Sequence, residues 1–509
     1  MAKRESGRSR RRGRIDSVSP LAGKPFRLLR NPFRPVEVLT EAQLERIHRA
    51  SLQILEELGI EFLDDEALSL WQKAGATVDA KTGRVRIERG LLLETIGAAP
   101  SQFSLRARNP RHDLKVGGDY IIFAPGAGCP YASDFEQGRR PGDLATFQNL
   151  VRLVQQCPPL HLVGGVLVEP QDIPVPVRHL DQVYSQFTLS DKAVITPARG
   201  RDIAADCLDM AALVFGGLDE IQRRPVLMGI INANSPLRYD AHMLGALLTY
   251  ARYGQPVVVT PFILAGAMSP ITMAAALAQQ NAEALAGVAL TQLVRPGAPV
   301  IYGGFTTNID MQSGSPAFGT PEGALALLAG AQLARSYGLP YRGSGGLNNS
   351  KVPDAQAGYE TQMNLWPAVL GQANLIHHSA GWLEAGLVLS LEKFILDLEG
   401  VAMMYRFLEG IAVDDETLAL DSIAAIGPGG HHFGTPHTLA RYRTEFYLPL
   451  VSDRQNYEAW LEQGALDAGQ RAHLLWKELL ANYEQPPLDP AIEAALRDYV
   501  ARKKRLLKT

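Results

Sequence analysis

The chain has only three cysteines in 509 residues, Cys129, Cys157 and Cys207. An odd, scattered set in so long a chain excludes a disulfide framework and points to a reducing cytoplasmic setting. No apolar run reaches the roughly 18 residues a membrane helix needs, because Pro, Gly or charge interrupts each one, so no membrane partner is expected. Charge is sparse too, at 20% of residues with a formal net charge of −3. No G-x-G-x-x-G follows the first strand-like run and no G-x-x-x-x-G-K-[ST] occurs, which counts against a nucleotide-binding doubly wound sheet. What the chain does have is 46% hydrophobic residues, ample for one large domain or two modest ones and incompatible with a disordered or collagen-like polymer.

The near-neutral average hides one asymmetry. Residues 1–14 carry seven Lys or Arg against a single Glu, and prolines follow at 20, 25, 32 and 35. Such a tail suits nucleic acid, anionic lipid or a targeting arm, but no signal-type apolar core follows it. Its few apolar residues make residues 1–35 a disordered, solvated arm in this reading, with no nucleic-acid partner expected. Residues 36–118 read as an N-terminal α/β segment: a helix capped by Thr40 and stopped by Gly59, a helical stretch over 64–75, a hairpin turning at Lys81-Thr82-Gly83, and a helix near 89–98.

From residue 119 one sentence repeats: a β-branched run, a Gly/Pro/Ser/Thr/Asn-rich loop, then an amphipathic helix. The runs begin at Tyr120, His161, Ala193, Pro225, Pro256, Pro299, Leu339 and Leu375. Eight such units predict parallel strands with helices outside, a (β/α)8 TIM barrel over residues 119–400. Residues 401–509 read as a C-terminal helical cap, with helices over 414–426, 453–464, 467–483 and 490–508.

In such a barrel the chemistry sits at the C-terminal strand ends. The residues there include few acids or bases, with only His377, His378 and Glu384 near the rim. There is no pair of carboxylates for glycosyl hydrolysis and no strand-end lysine for a Schiff base. Glycines are numerous instead, Gly303, Gly304, Gly343, Gly345 and Gly346 among them, and together they suggest an open mouth able to receive something large and flat. Alternation on a strand predicts that only one of His377 and His378 faces the interior. The run Gly427-Pro-Gly-Gly-His-His-Phe-Gly-Thr-Pro-His437 lacks helical His spacing and reads as a rigid loop rather than a zinc site. Tyr131, Phe262, Phe305 and Trp382 lie near strand ends, where aromatic faces suit a quaternary ammonium ion, whereas Tyr302 and Tyr341 suit the core. Arg342 is placed to grip a carboxylate or to form a rim salt bridge.

Four runs carry a family resemblance: Tyr341-Arg-Gly-Ser-Gly-Gly, Ser350-Lys-Val-Pro-Asp-Ala-Gln-Ala-Gly-Tyr-Glu360, Ser379-Ala-Gly-Trp-Leu-Glu384 and Gly427-Pro-Gly-Gly-His-His-Phe-Gly-Thr-Pro-His-Thr438. Through them the chain resembles the trimethylamine methyltransferase family of corrinoid-dependent methyltransferases, over about residues 35–503. The resemblance implies a TIM barrel that takes a methyl group from a methylated amine and passes it to the cobalamin (corrinoid) cobalt of a separate B12-binding protein, with no cofactor tightly bound to the chain itself. Family members acting on trimethylamine carry pyrrolysine. The matching position falls in or near Arg342–Gly346, where this chain has ordinary residues, so the resemblance favours a quaternary amine such as glycine betaine over trimethylamine. On that reading Tyr131, Phe262, Phe305 and Trp382 form the cage, Arg342 and His378 orient a carboxylate or polar tail, Glu384 lies behind them, and the five glycines face the corrin. A homo-oligomer is expected. A TIM-barrel lyase and a non-catalytic amine-binding barrel are the competing readings.

Overall fold

The computed structural model describes residue 21 and residues 25–507. Eight parallel strands form the centre: β1 (Tyr120–Phe123), β2 (Leu162–Gly164), β3 (Ala193–Thr196), β4 (Leu227–Ala233), β5 (Val257–Ala265), β6 (Val300–Gly303), β7 (Tyr341–Ser344) and β8 (Leu375–His377). Each coincides with one of the eight sequence runs. Neighbours pair in the order β1-β8-β7-β6-β5-β4-β3-β2, and the ring closes where the His161 N–H donates to the Phe123 carbonyl at 2.9 Å. A TIM barrel is therefore present, as the alternating pattern predicts.

The closing seam uses a side chain where the ladder has no backbone acceptor. The Phe123 N–H donates to His161 Nδ1 at 2.9 Å, and His161 Nε2 lies 2.8 Å from the Tyr405 hydroxyl. Burial holds this imidazole neutral, with its pKa pushed down to about 3, so Nδ1 keeps the lone pair the seam requires. His161→Ala leaves the buried Phe123 N–H unpaired and is expected to cost about 2 kcal/mol, measured as a lowered thermal-unfolding midpoint.

Period-2 alternation sorts the strand side chains into two cores. Ile122, Leu162, Ala193, Ile195, Met228, Val258, Ile301 and Leu375 fill the barrel interior together with Leu105, Leu114 and Val116. The last three belong to an antiparallel pair, Gln102–Leu105 with Leu114–Gly117, which plugs the barrel on the side opposite the mouth. The outward set packs against the surrounding helices in a larger core.

Outside the barrel the boundaries shift. The basic segment 1–14 lies outside the described residues. Residues 25–35, assigned to the tail, are built into the fold: Leu29–Arg30 pairs antiparallel with Tyr120–Ile121, and the Asn31 amide donates to the Val369 carbonyl at 2.7 Å. A short apolar stretch suffices when a barrel strand offers it an edge. The Thr40 cap is present as a full capping box with Gln43, and the hairpin turning at residues 81–83 joins Thr77–Asp79 to Arg84–Arg86. In the C-terminal segment the single helix expected over 414–426 is two, Asp415–Leu418 and Leu420–Ile426, broken where Ala419 turns left-handed at φ 50°. The final helices, Ala468–Ala481 and Pro490–Leu506, match their expected positions closely.

Candidate functional site

Two strands overrun the barrel rim and lift aromatic rings above its mouth. β5 continues through Phe262 to Ala265, and the chain leaving β6 resumes as Phe305–Ile309 beside it in parallel, with Phe262 opposite Phe305. The centroids of those two rings lie 5.0 Å apart. The chain then returns antiparallel through Pro316–Ala317 and delivers Phe318, 5.7 Å from Phe305. Trp382 closes the group, 5.1 Å from Phe318 in an edge-on arrangement and 6.3 Å from Phe305. Phe318 is the member that sequence reading missed.

The loop after β8 supplies the polar side. His377 ends the strand, and His378 adopts a left-handed φ of 57°, which breaks the alternation that would send its ring outward. Both imidazoles therefore reach the site, 4.1 Å apart, correcting the expectation that only one could. His378 stacks on Trp382 at 5.0 Å and 13° and meets Phe305 at 5.5 Å. The loop is pinned by Ser379 N–H to the Ala124 carbonyl and Gly126 N–H to the Ala380 carbonyl. The Gly381 N–H also donates to buried Asp397 at 2.9 Å.

Arg342 on β7 points into the barrel mouth and is 2% exposed. Its guanidinium donates to the Gly304 carbonyl at 3.2 Å, lies 3.2 Å from His377 Nδ1, and stands 4.9 Å from the Phe305 ring centre. No carboxylate among the described residues bonds to it. Burial lowers its pKa to about 10, which still leaves it charged at neutral pH. The same charge and burial push His377 down to about 3 and His378 well below its ordinary value, so both are uncharged. Arg342 Nε, Ser344 Oγ, His378 Nδ1 and Thr260 Oγ1 are buried without a hydrogen-bond partner among the described residues. Unmet hydrogen-bonding capacity of this kind, gathered at one end of a barrel, marks a place where a polar ligand binds.

Two expected site residues lie elsewhere. The Tyr131 ring sits beneath the Arg139 guanidinium at 3.6 Å, and Glu384 forms an ion pair with that same Arg139 at 2.8 Å. Arg139 thus gathers both into a separate surface group, and neither has a described ring contact or hydrogen bond to the cluster. The five glycines are buried in the barrel wall. A Cβ on Gly303 would strike Thr260, one on Gly304 would strike Tyr341, and those on Gly345 and Gly346 would crowd Ser379 and the His378 carbonyl. A Cβ on Gly343 would press on Ala373 at 3.3 Å and on Leu327 at 3.4 Å. Close packing therefore accounts for them, in place of an open rim. The Gly427–His437 run is largely solvent-exposed, with Phe433 85% accessible, and among the described residues no three His, Cys, Asp or Glu side chains gather to hold a metal ion. No helix of the described residues is long and apolar enough to cross a membrane.

Comparison with known proteins identifies the family and the fold. The family model described as trimethylamine methyltransferase (MTTB) matches residues 4–507. A protein named glycine betaine methyltransferase from Desulfitobacterium hafniense (strain Y51) is 44% identical over 92% of this chain and 97% of its own length. A trimethylamine methyltransferase MttB from Desulfitobacterium hafniense (strain DSM 10664 / DCB-2) is 35% identical over 91% and 92%. The crystal structure of Methanosarcina barkeri monomethylamine methyltransferase (MtmB) superposes with a TM-score of 0.54 at 10% identity, covering 89% of this chain and 90% of that one, and so shares the fold. Matching sequence along nearly its whole length, together with a closed TIM barrel, places the chain in the trimethylamine methyltransferase family.

Proposed function

We propose that the protein demethylates a quaternary amine bearing a carboxylate, glycine betaine, and passes the methyl group to a corrinoid carried by a separate protein. The observation that carries this reading is Arg342, a buried guanidinium with no carboxylate partner among the described residues, set 4.9 Å from the central ring of an aromatic cluster. A zwitterion matches both halves: aromatic faces attract the ammonium, and the guanidinium donates to the carboxylate in a charge-assisted pair. The relative named for glycine betaine points the same way. Trimethylamine offers no anion and would leave Arg342 buried and unpaired, a costly arrangement.

The residues present also fit a co-substrate that brings its own nucleophile. His377 and His378 are held neutral far below physiological pH, and burial raises the Cys129 thiol above its ordinary value, so neither these imidazoles nor this thiol is poised as a cationic acid or a thiolate. The corrinoid supplies a Co(I) nucleophile. The chain's task is to hold the N–CH3 bond in line, exclude water and release a neutral tertiary amine, since the C–N electron pair leaves with nitrogen. Phe262, Phe305, Phe318 and Trp382 hold the cation, while Arg342 sets the orientation of the carboxylate.

The test is to mix the protein with a Co(I) corrinoid and glycine betaine and follow the visible spectrum for methyl-Co(III) together with release of dimethylglycine. Absence of both overturns the reading. Because the two histidines stay neutral, kcat/KM for betaine is expected to be flat from pH 5 to 9. It should fall near pH 10, where Arg342 loses its proton.

A further inference from the structure

We propose that His377 determines substrate specificity, acting as an uncharged partner that fixes Arg342 while leaving the guanidinium charge free for the substrate's carboxylate. This rests on the betaine reading above. A buried arginine ordinarily meets Asp or Glu, yet here the side chain touching it is an imidazole, itself 3% exposed. Both imidazole nitrogens are committed. Nε2 lies 3.3 Å from the Gly164 carbonyl on β2, which can only accept, so Nε2 carries the hydrogen. Nδ1 then presents a lone pair, and an Arg342 N–H donates to it across 3.2 Å. A second proton on the ring would set donor against donor, and burial beside Arg342 opposes it.

The register makes this contact a fixed part of the barrel. Arg342 is opposite Leu375, and Ser344 is opposite His377, so Arg342 and His377 share the inner face of adjacent strands one step apart. His377 bridges from β8 to β2 on one side and to β7 on the other, bracing the guanidinium against the Gly304 carbonyl and the Phe305 face. A carboxylate at position 377 would hold Arg342 equally well but would neutralise it and repel an anionic substrate. The neutral ring is therefore the element that makes the site read a negative charge.

The experiment measures calorimetric Kd for glycine betaine and for tetramethylammonium, which lacks the carboxylate, on the full chain, with methyl transfer to free cob(I)alamin followed in parallel. His377→Asp is expected to weaken betaine by about 100-fold while changing tetramethylammonium by no more than about threefold, the signature of a lost ion pair rather than a lost fold. His377→Asn, which keeps a neutral acceptor and a donor, is expected to retain the wild-type ratio of the two affinities within about threefold. Should His377→Asp fail to fold, His377→Leu removes the acceptor without adding charge, and about a tenfold loss confined to betaine supports the proposal. Equal losses for both ligands, or an unchanged ratio in His377→Asp and His377→Leu, overturn it. Wild-type protein that binds betaine without transferring methyl refutes the demethylation reading alone, because the Kd ratio still reports on His377. Failure to bind betaine at all overturns both.

Discussion

Arg342→Met is expected to raise the KM for glycine betaine by roughly 150-fold, corresponding to about 3 kcal/mol for a buried charge-assisted contact, while leaving tetramethylammonium within a few-fold of wild type. The length of Met preserves the volume that Arg342 fills beside Phe305 and Gly304, so the melting midpoint should stay within a few degrees of wild type. Removing a buried charge with no carboxylate partner among the described residues lifts a desolvation penalty, which offsets the donors lost to the Gly304 carbonyl and His377 Nδ1. Lower affinity for betaine alone, with tetramethylammonium binding and stability near wild type, is a signature that a purely structural arginine does not produce. An Arg342→Met variant that binds betaine normally would remove the carboxylate anchor and leave only the aromatic half of the site.

The contrast between what sequence reveals and what it hides follows from how local each feature is. All eight strands are legible because β-branched runs and helical spacing are properties of short windows, and the ring that closes them needs no further information. The same holds for Phe262 and Phe305, which sit directly beyond strands. Phe318 lies 15 residues beyond the end of β6 and enters only because Pro316–Ala317 turns the chain back onto residues 308 and 309. The pairing that does this is non-local, and the sole hint in the sequence is an aromatic residue between Pro316-Ala317 and Gly319. Tyr131 and Glu384 lie apart from the cluster for the opposite reason. Each stands near a strand end, but Arg139, on the hairpin strand Gly138–Pro141, captures both. His378 escapes the alternation rule because that rule applies only while a strand continues, and β8 ends one residue earlier. The glycines show that residue type alone does not separate a docking rim from tight packing, since the atoms that would strike a Cβ come from distant parts of the chain.

Trp382→Leu is expected to lower affinity for betaine and tetramethylammonium alike, by roughly 30-fold or about 2 kcal/mol, the worth of a desolvated cation–π contact. Its effect should thus be orthogonal to that of Arg342→Met, which distinguishes the two ligands. Trp382 is 4% exposed and touches Phe305, Phe318 and His378, so Leu also leaves a void, and the loss of packing is read separately from the thermal midpoint. Trp382→Phe supplies the control: it retains an aromatic face while shrinking the ring, and should recover most of the binding if the quadrupole matters and little if shape alone does. The prediction is sharpened by Phe305, whose ring lies beside the Arg342 guanidinium. A ring already engaged by one cation has less to offer a second, so Phe305→Leu should cost less ammonium affinity than Trp382→Leu and more carboxylate discrimination, because it also loosens Arg342. If both patterns are found with both ligands, the cation lies on the Trp382 side of the cluster and the anion on the Phe305 side, whereas equal effects of Phe305→Leu and Trp382→Leu on the two ligands overturn that division.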